Sequence, residues 1–96
     1  MGEYFNWGFH VTRSKVQNSP KLGTTSGIDE YIREQGLVHI VDVPLLNIPR
    51  DKQVFLDEVC QQCVGTWSYL VVFRTRSAWC YFDILDDAVA FKLRWV

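Results

Sequence analysis

The chain has 96 residues, 48% of them hydrophobic and 15% aromatic, with ten Lys/Arg against eleven Asp/Glu for a net charge of -1. That size and apolar content fit one folded domain, exclude a disordered chain and need no disulfide or metal staple. The near-neutral balance argues against a dedicated nucleic-acid binder, no apolar run approaches a transmembrane length, and MGEYFNWGFH lacks the basic and apolar regions of a signal peptide.

Residues 4–13 alternate, with Phe5, Trp7, Phe9 and Val11 on one side and Asn6, Gly8, His10 and Thr12 on the other, the period of a half-buried strand. Residues 14–27, SKVQNSPKLGTTSG, are polar and read as a mobile loop. Ser26 and Asp29 have the spacing of a capping box, which predicts a short helix through IDEYIREQ ending at Gly36. LVHIVDVPLL at 37–46 is a second strand, and Pro44 places its end at an edge or bulge.

The segment from Pro49 to Val64 is the clearest helix. Phe55, Leu56, Val59, Cys60 and Cys63 recur at three- and four-residue spacing, and Gly65 is expected as the stop. Residues 67–82 hold two β-rich runs around Arg74-Thr75-Arg76-Ser77, the pattern of a hairpin. Asp83, Asp86 and Asp87 then open a last helix whose stripe is Ile84, Ala88, Phe91 and Trp95, with Lys92 and Arg94 in its final turn.

The order from residue 37 onward, β-α-β-β-α, is a ferredoxin-like core lacking one strand, and the N-terminal strand can occupy that missing edge. The expectation is therefore a single α+β domain over 1–96. It has a four-stranded antiparallel sheet with two helices on one face, ferredoxin-like or circularly permuted ferredoxin-like. The hairpin is apolar on both faces while the helices suffice for one, so something else must cover the second.

Three cysteines, an odd count, point to a reducing, cytoplasmic setting. Cys60-Gln-Gln-Cys63 lies at the C-terminal end of its helix, where the dipole opposes a thiolate, so core cysteines account for it better than redox chemistry. Cys80, His10 and His39 stand on separate strands and make no zinc-ligand spacing. The chain carries no phosphate-binding loop, nucleophile elbow or metalloprotease helix. No catalytic residue, metal or cofactor is expected.

The interleaving of aromatic and basic side chains at 67–82 is the main functional signal. Trp67, Tyr69, Arg74, Arg76, Trp79 and Tyr81 are expected on an open sheet face, as a surface for a protein partner or for a homodimer. The alternative is single-stranded nucleic-acid binding by the same face, because exposed aromatics on a sheet can stack on bases. A small-molecule regulatory domain ranks third and an enzyme last.

FDILDDAVAFKLRW at 82–95 resembles the C-terminal ends of small bacteriophage-encoded proteins of unknown function, through Phe82, Asp87, Ala88 and Phe91-Lys92-Leu93-Arg94-Trp95. The resemblance covers about a seventh of the chain and carries no catalytic residues. It implies a phage setting, in which such proteins bind a host or viral protein or assist nucleic-acid transactions.

Overall fold

The computed structural model describes residues 2–5 and 25–96. Strand β1 (Glu3–Tyr4) is followed by helix α1 (Thr25–Glu34), strand β2 (His39–Pro44), helix α2 (Lys52–Gln62), strands β3 (Thr66–Val72) and β4 (Ser77–Phe82), and helix α3 (Leu85–Trp95). Short 3-10 turns at Leu45–Asn47 and Phe73–Thr75 complete the described part. The strands form one sheet in the order β1-β3-β4-β2.

The α+β class is as expected, but the sheet is mixed and not purely antiparallel. β2 and β3 each run antiparallel to β4, whereas β1 lies parallel to β3, so the N-terminal strand does not take the missing ferredoxin-like edge beside β2 that was expected for it but the opposite edge. The backbone dictates this placement. The N–H groups of Gly2, Glu3 and Phe5 donate to the carbonyls of Cys60, Gly65 and Trp67, so the N-terminal segment is fastened along α2 and β3. A Cβ at Gly2 would run into the Cys63 side chain, so this close approach needs glycine. Residues 6–24 lie outside the described residues, and with them most of the strand expected over 4–13 and of the loop over 14–27. The end of that expected loop, from Thr25, is already helical.

Strand alternation divides the apolar side chains between two cores. Val41, Val43, Trp67, Ala78, Cys80 and Phe82 face α2 and α3, where Phe55, Val59, Ala88, Phe91 and Trp95 close over them. Leu70, Val72 and Tyr81 point the other way and meet Ile32 and Leu37, with Ile28 and Trp79 at the margin. The two-helix face is therefore real, but the second face is not open over the hairpin, because α1 lies on it. Ser26 sits inside α1 and does not begin it, while Gly36, at φ +94°, supplies the left-handed stop.

α2 starts at Asp51, whose carboxylate accepts from the Gln53 N–H at 2.9 Å. Its end differs from expectation. Cys63 leaves the helix in extended conformation, and Gly65 is needed for space, since a Cβ there would meet Asp83 Oδ1 and the Ile84 side chain. The α2–β3 connection is clamped by two carboxylates from the start of α3. Asp87 accepts from the Val64 N–H at 3.1 Å and the Gly65 N–H at 2.8 Å, and Asp83 accepts from the Thr66 N–H at 2.9 Å.

Burial sets the alkaline limit of the fold. It pushes the Cys63 thiol from 9.0 up to about 12, with the Asp87 and Cys60 charges adding, and raises Cys80 as well. Burial, and then Tyr69, lifts the Tyr4 phenol from 10.0 to about 12, while Tyr81 is raised by burial and by its bond to Asp29. Each group is held neutral in the fold and ionises more readily in the unfolded chain. Their stabilisation is thus complete below about pH 9 and is lost as pH rises towards about 12. Thermal midpoints should hold up to about pH 9 and then decline; a flat profile to about pH 11 would contradict this.

Candidate functional site

The six residues singled out from the sequence do not share one face. Trp67 and Tyr81 are fully buried on opposite sides of the sheet. The Trp67 indole N–H donates to Cys60 Sγ at 3.2 Å, and the Tyr81 hydroxyl donates to Asp29 at 2.7 Å beneath α1. Both are structural, and they leave the candidate site for a simple reason: β3 and β4 are central strands covered on both faces. The remaining four, Tyr69, Arg74, Arg76 and Trp79, gather around the turn between β3 and β4.

That turn is built by local hydrogen bonds. Thr75 and Ser77 hydroxyls meet at 2.6 Å, and the Arg76 N–H returns to the Phe73 carbonyl at 3.1 Å. The Arg76 carbonyl accepts from Leu45, tying the turn to the segment after β2. Arg76 itself has φ 53° and ψ 46°, the left-handed region that glycine occupies freely and an L side chain only at a cost. The turn thus keeps an arginine where glycine would fit with less strain. Phe73 beside it is 81% exposed.

A cleft of about 300 Å³ opens on one side of the turn. Tyr69, Val71 and Phe73 of the hairpin form one wall, Leu45, Ile48 and Pro49 the second, and Phe55 of α2 the floor. Arg50 and Lys52 stand at its lip. A second cleft, about 510 Å³, lies on the opposite side of the same turn between Phe73, Arg74, Thr75, Trp79 and Ser26. Arg50, Lys52, Arg74 and Arg76 are all exposed, and none is in an ion pair with a described residue. The turn is thus an aromatic knuckle between two clefts, ringed by four cations.

Sequence reasoning missed Arg50 and Lys52, and it saw Phe73 within the aromatic and basic run at 67–82 without counting it among the six site residues. The one signal present was that Arg50 and Lys52 stand beside the start of α2, where the helix dipole disfavours cations. The cysteines remain free, with Cys63 and Cys80 buried and Cys60 half-buried. His39 is half-buried on β2, whereas His10 lies outside the described residues. Among the described residues no three metal-ligating side chains come together, and no helix is long and apolar enough to cross a membrane. No protein-family model, curated protein or solved structure matches the chain.

Proposed function

We propose that the chain is a small, non-catalytic binding module that takes a protein partner at the β3–β4 turn. The observation that carries this reading is Phe73, exposed between two clefts that Arg50, Lys52 and Arg74 line, with Arg76 in the same turn. An exposed aromatic beside an apolar cleft serves as an anchor, and unpaired arginines and lysines select an acidic neighbour. The favoured ligand is therefore a segment with an aliphatic or aromatic side chain next to Asp or Glu. The likeness of residues 82–95 to small phage-encoded proteins supports a host or viral partner in a reducing cytoplasm. The order β2-α2-β3-β4-α3, with β4 between β2 and β3, supports a ferredoxin-like unit as the scaffold.

Selection from a random peptide library tests the reading. Enriched sequences should pair an apolar residue with acids, and Phe73→Ser or Arg74→Glu/Arg76→Glu should weaken them at least about tenfold. Arg76→Gly separates strain from function. It should raise stability by about 1 kcal/mol through relief of the left-handed backbone, yet lose peptide affinity. Selection without such a motif, or binding unchanged in these variants, would overturn the proposal. So would a single-stranded oligothymidylate that binds at low salt, is released at high salt and needs the same residues, since this is the nucleic-acid alternative.

A further inference from the structure

We infer that the β2–α3 side of the molecule joins a second copy of this chain, independently of the turn. α3 carries two apolar stripes. Ala88, Phe91 and Trp95 face the sheet, whereas Leu85, Val89, Leu93 and Val96, spaced by four, four and three, are between 51% and 83% exposed. A surface helix with one partner sheet keeps its outer face polar. Here much of that face is aliphatic, and Asp86 and Lys92 border the stripe on either side.

The stripe has a defined direction. α3 packs over β2 and β4, and the Arg94–Glu58 ion pair at 3.4 Å marks the side turned to α2. At about 100° per residue the stripe lies on the opposite side, towards β2. Among the described residues β2 is paired only with β4, so it is an edge strand. The Leu45 N–H bonds to Arg76, which sets the alternation: residues 39, 41 and 43 bond inward, and the N–H and C=O groups of Ile40 and Asp42 point outward. Pro44, with no N–H, falls in the outward set, so the ring costs the sheet nothing.

Edge and stripe are self-complementary about one two-fold axis perpendicular to the sheet. With Val41 at its centre, Ile40 exchanges backbone bonds with Asp42 of the second copy, and the sheet continues across the axis. Strands lie about 4.8 Å apart, so two helices each seated between β2 and β4 come to rest about 10 Å apart. That is the separation of directly packed helices, and the two exposed stripes meet at that distance. The antiparallel alignment also sets the N-terminal turn of each helix beside the C-terminal turn of the other, which the dipoles favour. Asp42 and Pro44 blunt the edge against indiscriminate pairing, so the helix stripe chooses the occupant.

The test is light-scattering mass combined with amide exchange. The native chain should run at twice 11.2 kDa, with the Ile40 and Asp42 amides protected. Val89→Glu/Leu93→Glu should halve the mass and expose those two amides while the circular dichroism of the fold is unchanged, because both side chains are solvent-facing. Phe73→Ser should leave the dimer intact, which keeps this proposal separate from the turn. A monomeric native chain, a dimer that survives the double substitution, or one abolished by Phe73→Ser would overturn it.

Discussion

Phe55→Ala should cost about 4 kcal/mol, a large fraction of the roughly 5–15 kcal/mol that holds a domain of this size. Phe55 is 1% exposed and presents its ring to Trp95 at 5.3 Å, Tyr69 at 5.4 Å, Trp67 at 5.7 Å and Phe91 at 6.4 Å, all at steep angles. Edge-to-face contacts of this kind add to the burial term. Truncation would join the vacated volume to the neighbouring cleft, whose floor Phe55 forms. Urea unfolding measures the loss. Phe55→Leu, which keeps much of the volume, should retain more than half of it, and a deficit under about 1 kcal/mol for the alanine variant would disprove the hub.

The second large effect is expected from a polar residue. Asp87 is 4% exposed, and its carboxylate satisfies the N–H groups of Val64 and Gly65 where the chain turns from α2 into β3. Hydrogen bonds to a charged acceptor are among the stronger ones, and removing the acceptor strands two donors. Asp87→Ala should cost roughly 3 kcal/mol, and Asp86→Ala, one residue away and exposed, should stay within about 0.5 kcal/mol. Equal effects would mean that both acids act through the helix dipole alone, with no special part for the clamp.

Much of the architecture was legible because it follows from periodicity. The four-residue spacing of Phe55, Val59 and Cys63, the alternation from Trp67 to Val71 and the stripe Ala88, Phe91 and Trp95 each correspond to observed elements. What periodicity cannot supply is the partner of each face. Trp67 and Tyr81 are both aromatics on hairpin strands, and only the placement of the helices decides that each is buried, the first under α2 and α3 and the second under α1. The pairing of β1 was hidden for the same reason, since two residues hold no register information and the site is chosen by Gly2 and Gly65. The candidate site was half visible. Arg74 and Arg76 stood out as a charged interruption, but the cleft assembles from three separate segments. The role of Asp87 towards backbone 22 residues away likewise leaves no local mark.

The parallel attachment of β1 has a kinetic side. The Ser68 hydroxyl reaches the Phe5 carbonyl across 63 residues, so the shortest strand closes the longest loop in the described fold. Loop-closure entropy is met before such a contact gives any return, so β1 is expected to dock after the hairpin and its helices and to be the first strand to detach. While it is away, the seven residues of β3 offer an unsatisfied rim to any strand that fits parallel to them. The readiest is the same segment of a neighbouring molecule, which makes this rim the place where crowded refolding would exchange strands between chains.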